Sequence, residues 1–248
     1  MTYPSALPHD LPKQIAENVF VVHGCVKPNA VVRFSRNMAI VRDKGELTLI
    51  NPVRMDEAGL VELDKLGKVA HVMRLVPSHG MDDPFYVDRY DAEFWSLEDG
   101  TIYNEPKITQ PLIEGGALPF SNAKLFVFKH LHQSEAAIFL PPSLTGEEGS
   151  EKGREKGLLL TGDAVQSYAS YPHTNWLARK VLPLIGFTQE TIIPKMWIKM
   201  AVEDQEGIKA ELKRLLELDF DQLLAGHGTF VEKNARAEVQ RAFDNKFS

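Results

Sequence analysis

Short extended apolar stretches alternate with amphipathic helical ones through the first half of the chain, which predicts a mixed α/β protein. Two further observations point the same way. The C-terminal third carries helical periodicity around one last strand, and several strands stop at a turn that contains a polar residue. With 248 residues, 44% hydrophobic and 25% charged, the composition is that of a globular chain and excludes a fibrous or disordered one. A single domain over residues 1–248 is expected.

Asn18 to Val22 predicts a first strand, with His23-Gly24 as a turn. Asn37 to Arg42 and Leu47 to Ile50 flank Asp43-Lys44-Gly45-Glu46, a hairpin signature that ends at Asn51-Pro52. Leu60, Leu63 and Leu66 recur at helical spacing, and Gly67 stands where a helix cap belongs. Val69 to Val76 is extended again, a short helix spans Phe85 to Tyr90, and Phe94-Trp95 marks a small strand. Residues 97 to 123 show no sustained period. Lys124 to His130 and Ala136 to Leu140 predict an antiparallel pair, with Gly157 to Thr161 as the next strand. Residues 143–157 form a Gly-punctuated charged surface loop with nearly balanced charge, and no partner is assigned to it. Ile208, Leu212, Leu215 and Leu216 form one helical stripe, Phe220 to Ala225 the last strand, and Glu232 to Phe247 a closing helix.

Composition removes several functional classes. The 28 basic against 34 acidic residues give a formal charge of −6, which argues against a nucleic-acid partner. No run of about 18 apolar residues predicts a membrane span, and the Pro-rich start does not resemble a secretion signal, so a cytoplasmic protein is expected. The lone Cys25 builds neither a disulfide nor a Cys-rich zinc site. There is no G-x-S-x-G elbow for a serine nucleophile, and no P-loop or G-x-G-x-x-G for a nucleotide.

Eight histidines carry most of the functional information. His79 follows a strand in SHGMDDP, His132 follows one in KHLHQSE, Asp163 follows one in LLLTGDAV, and His227 follows the last in LLAGHG. A lone His or Gly-Asp after a strand is usually a surface or turn residue. The ordered set of four strand-end ligands is a different matter, because sites gather in loops at one sheet edge.

That ordered set resembles the metallo-β-lactamase superfamily over nearly the whole chain. The resemblance implies a four-layer αββα sandwich with a metal site between two sheets at one edge. Of the family signature H-x-H-x-D-H, then His, Gly-Asp and Gly-His, this chain matches His79, Asp83, His132, Asp163 and His227 as metal ligands. Met81 stands at the second histidine and Pro84 at the fourth signature residue, while Asn51 replaces an Asp that often follows the hairpin. The resemblance thus implies one position with His79, His132 and shared Asp163, and another with Asp83, His227 and shared Asp163. Either set suits a single zinc, and two histidines with a carboxylate also suit iron; one ion, and at most two, is expected. Asp83 would orient or deprotonate the bound water, with neighbouring Asp82 as a loop carboxylate.

The implied activity is metal-dependent hydrolysis of a small ester, lactone, amide or phosphoester. A metal-free relative binding a small molecule or protein in the same cleft is the alternative, favoured by Met81 and Pro84, and an iron redox protein is a third. His23 reads as a surface turn and His71 as a satisfied strand histidine. Tyr168, Tyr171, Trp176 and His173 are candidates to line the cleft. The apolar stretch Ile192 to Val202 reads as core, cleft cover or the face of a homodimer.

Overall fold

The computed structural model describes residues 3–99, 102–146 and 156–247. In chain order the elements are β1 (Lys13–Ala16), β2 (Val19–Val26), β3 (Phe34–Asp43), β4 (Glu46–Ile50), α1 (Glu57–Leu66) and β5 (Lys68–Arg74). A single 3-10 turn at Pro77–His79 leads to α2 (Asp83–Tyr90), β6 (Glu93–Ser96), β7 (Gln110–Pro111), β8 (Lys124–Phe128), β9 (Glu135–Leu140) and α3 (Pro142–Thr145). Then come β10 (Gly157–Thr161), β11 (Gln166–Ser167), α4 (Trp176–Val181) with a 3-10 extension at Leu182–Ile185, and β12 (Thr191–Ile192). The chain closes with α5 (Lys195–Ala201), α6 (Gln205–Leu215), β13 (Phe220–Ala225) and α7 (Ala235–Phe247).

Strands β1 to β7 form one sheet in sequence order, and a second sheet runs β13-β10-β9-β8. Strand alternation builds the layers, because successive side chains leave opposite faces. Val19, Val21, Ala39 and Val41 meet Leu125, Val127, Ile138 and Leu160 between the two sheets. The intervening Phe20, Val22, Met38 and Ile40 face outward onto Leu60 and Leu63 of α1 and Phe85 and Tyr86 of α2. On the other side Phe126, Phe128, Phe139 and Leu159 pack under Trp197, Ile208, Leu212 and Phe243 of α5, α6 and α7. Helix, sheet, sheet and helix therefore stack as the αββα sandwich.

Two local readings change. His23 and Gly24 lie inside β2, not in a turn: His23 Nδ1 is 2.8 Å from Asn37 Oδ1 across the strand pair, and Val53 packs where a Gly24 side chain would sit. Of the 143–157 loop, residues 147–155 lie outside the described residues, while Leu144 and Thr145 are buried at the end of α3. The described residues of 97–123 contribute only the two-residue β7, held by the Thr109 and Leu112 N–H groups donating to Phe94 and Ser96 carbonyls. Backbone pairing of that kind leaves no periodic trace in a sequence. Among the described residues no helix is long and apolar enough to cross a membrane.

Candidate metal centre

Parallel register aligns two of the predicted ligands. Thr161 on β10 pairs with Ala225 on β13, so Asp163 and His227 each lie two residues beyond the last matched pair. His79 arrives from the other sheet, at the end of the 3-10 turn that follows β5. The Asn37 N–H donates to the Gly226 carbonyl at 2.8 Å, and its side-chain amide donates to the Ala225 carbonyl at 2.8 Å, which locks the two sheet edges together.

The result is a compact three-residue group. His79 Nε2 lies 3.2 Å from His227 Nε2 and 3.5 Å from Asp163 Oδ1, and His227 Nε2 lies 3.0 Å from that same oxygen. His227 Nδ1 donates to the Ser35 carbonyl at 2.6 Å; since a carbonyl only accepts, the ring's proton sits on Nδ1 and its Nε2 presents a lone pair. Gln166 Nε2 donates to Asp163 Oδ1 at 3.3 Å, and the Tyr168 hydroxyl donates to Gln166 Oε1 at 2.7 Å. The Asp163 oxygen that faces both histidines is thereby held by Gln166 as well.

Charge control is strong here. Burial, reinforced by the nearby Arg36 cation and outweighing the pull of Asp163, takes His79 down to about 3, so its ring is neutral. Burial would raise Asp163, but the two imidazoles and Arg36 outweigh it and hold the carboxyl below its ordinary range. A neutral His79 carries a single ring proton, and Asp163 held as a carboxylate carries none. His79 Nδ1 is buried and has no hydrogen-bond partner among the described residues.

Such a lone-pair-rich group fits a cation. Bonds of roughly 2.0–2.1 Å at tetrahedral angles place ligand atoms about 3.3 Å apart, and the three observed separations run from 3.0 to 3.5 Å. Two imidazoles and a carboxylate are also an accepted zinc or iron donor set.

Asp83 and His132 lie outside this group. Asp83 is fully buried, and Arg74 Nε donates to its Oδ2 at 2.6 Å; its Oδ1 has no hydrogen-bond partner among the described residues. Burial raises its carboxyl to about 6, against the pull of Arg74. Asp82 is buried too, accepting from the Arg54 N–H at 3.1 Å with Arg36 3.9 Å away. The Arg36 guanidinium also donates to the carbonyls of His79 and Pro52. Two buried arginines thus anchor the loop that carries His79, and both consecutive aspartates serve those arginines. His132 is exposed in the turn between β8 and β9, its N–H donating to the Ala201 carbonyl. Met81 is 41% exposed and faces a small cavity beside Cys25 and Arg54.

The carboxylate that the sequence reading missed is Glu135, at the start of β9. Its Oε1 accepts from the Asp163 and Ala164 N–H groups at 2.7 and 2.8 Å, and its Oε2 from the Trp197 indole at 3.0 Å. Burial and the neighbouring Asp163 raise it to about 8. It holds the Asp163 backbone in place. Nothing in an apolar strand with one Glu at its head signals this.

Gly228 completes the His227 loop with φ at +86°, and a Cβ there would lie 1.9 Å from the Ser167 carbonyl oxygen. Gly228→Ala is expected to destabilise the fold by more than about 1 kcal/mol. Thermal melting of the variant checks it.

No protein-family model and no curated protein matches the chain. Solved structures do. The DIM-1 metallo-β-lactamase matches with a TM-score of 0.61 at 12% identity, covering 99% of this chain and 100% of that one. FIM-1 from Pseudomonas aeruginosa, in its mono-zinc form, matches at 0.60 and 9% identity over 98% of both chains. A metallo-β-lactamase from Pontibacter korlensis matches at 0.60 and 12%, over 94% of this chain and 98% of that one. The chain has the metallo-β-lactamase fold, and it carries a partial His/Asp group at the edge between its two sheets.

Proposed function

We propose that the protein is a hydrolase that holds one divalent ion, zinc in the first instance, at His79, Asp163 and His227. The carrying observation is the spacing of the three ligand atoms, 3.0 to 3.5 Å apart. Engagement of Asp83 by Arg74 supports one ion over two, since the carboxylate expected for a second position is already neutralised. The mono-zinc form of the FIM-1 structural neighbour lends the reading further support.

When bound, the ion would supply an acidified water, with pKa lowered to about 7, and polarisation of a carbonyl or phosphoryl oxygen. The chain's own residues do the rest. Ser35 fixes the His227 tautomer, Gln166 and Tyr168 fix the Asp163 rotamer, and Arg36 fixes the His79 backbone. Asp163, which faces the adjoining cavity, is the carboxylate at hand to orient water, the role that the family resemblance implies for Asp83. Water adds across the acyl–oxygen bond of an ester, leaving an acid and an alcohol.

Metal content of purified protein after reconstitution with Zn²⁺ or Fe²⁺ tests this reading. About one equivalent is expected in the wild type and in His132→Ala, with loss in His79→Ala and His227→Ala. Absence of metal from the reconstituted wild type, or equal retention in all four proteins, overturns it. His79 Nδ1 lacks the kind of partner that Ser35 gives His227. Since such partners are worth roughly 10–100-fold in affinity, retention weaker than in a fully supported site is expected. Titration against a calibrated chelator measures it.

A further inference from the structure

A large chamber adjoins the three-residue group. Its volume is about 610 Å³, within the roughly 300–1,000 Å³ of ligand pockets. Asp163, Gln166 and His227 line one end. The walls come from the loop before β3, from α4 with its 3-10 extension, and from α5, and they are apolar: Phe34, Leu177, Leu182, Phe187, Trp197 and Met200 are representative. Among the described lining residues, Asp163 alone carries a charge, and no Lys or Arg is present. An anionic phosphate or carboxylate group on the substrate would find no counter-charge along these walls.

The mouth is apolar as well. Met200 is 70% exposed, Val181, Ile185 and Met196 are each more than 40% exposed, and neighbouring Leu184 and Trp176 reach 85% and 72%. Exposed apolar side chains on two adjacent helical segments, ringing a cavity that leads to a polar end, are the surface that an apolar chain would cover. The methionines add an adaptable wall.

Resting on the hydrolase reading, we propose that this chamber takes the apolar chain of a neutral acyl compound, an ester, thioester or lactone, with its carbonyl at the His79, Asp163 and His227 end. The absence of cations among the described wall residues selects this class over phosphoesters. The site would discriminate by chain length, each buried methylene adding its transfer free energy.

N-phenyl-1-naphthylamine, a neutral fluorophore that brightens in apolar surroundings, probes the chamber in metal-free full-length protein. Saturable one-to-one binding is expected in the wild type and in His132→Ala, whose exposed side chain does not line the chamber. Ala178→Phe fills the chamber from α4, and binding is expected to weaken about tenfold or more. Met196→Glu, at a half-exposed wall position that tolerates a charge in the fold, is the second variant and is expected to weaken binding in the same direction. Medium-chain neutral esters should displace the probe, and acetate esters should not. No saturable binding, or binding indifferent to both variants, overturns the proposal. So does a concentration-dependent dimer that excludes the probe, because the occupant is then a second copy. Failure of the hydrolase reading looks different: probe and ester binding stay intact while no ester of any chain length is cleaved by metal-loaded protein. Cleavage without chain-length preference, together with absent probe binding, overturns the chamber alone.

Discussion

Arg74→Met is expected to lower the unfolding free energy by roughly 3–5 kcal/mol at pH 8. The variant keeps most of the side-chain volume but takes the guanidinium from Asp83, which is fully buried and accepts from Arg74 Nε at 2.6 Å. The carboxyl, already raised to about 6 by burial against the pull of Arg74, then rises further. Such a group stays protonated in the folded state at pH values where the unfolded chain has released its proton, so stability falls as pH rises above the ordinary Asp range. The deficit in Arg74→Met should therefore be smaller at pH 5 than at pH 8. Urea unfolding at the two pH values measures it, and Arg74→Met combined with Asp83→Leu should recover much of the loss, since a hydrophobic pair can replace a buried ion pair. An equal deficit at both pH values would show that Arg74 acts by packing, through its contacts with Phe94 and Tyr103.

The second large effect belongs to His79 in protein stripped of metal. Its folded pKa is about 3, through burial, below the roughly 6.5 of an unfolded histidine. Above pH 6.5 the ring is neutral in both states and contributes nothing. Below it the unfolded chain takes up a proton that the folded chain refuses, and stability is lost at about 1.4 kcal/mol per pH unit. Asp83 and Glu135, raised to about 6 and 8, slope the opposite way over part of this range, so the signature is a difference. Between pH 7 and pH 5 the wild type should lose about 2 kcal/mol relative to His79→Gln. A constant gap across that range in chelator-treated samples would mean that the ring titrates alike folded and unfolded.

The residues show why part of this site was legible in sequence. Asp163 and His227 each stand two residues beyond a strand with a small residue beside them, and a parallel register carries that spacing into space, while the Pro77–His79 turn brings in His79. His132 follows a strand by the same count, yet β8 ends at Phe128 and the following turn faces solvent. Asp83 matches a signature position, but what decides its role is Arg74, a cation inside an apolar strand whose burial no pattern announces. The tandem Asp82-Asp83 was the available clue, because two consecutive buried carboxylates need counter-charges. The layers were readable from alternation; residues 97–123 were not, because those described form only the two-residue β7 and bury single side chains such as Leu97, Leu112 and Phe120 at no regular interval.

His79 reaches the group from the seven-stranded sheet, and Asp163 and His227 reach it from the four-stranded one. His79 and His227 meet across 148 positions of chain. A ligand shared by all three thus bridges the two halves of the sandwich and is bound only while they stay together. Binding at 1,000 times Kd would raise global stability by about 4 kcal/mol. That gain would fall on the seam between the sheets, slowing amide exchange in β3, β5, β10 and β13 together. Loading the site would then tune how readily the two halves part.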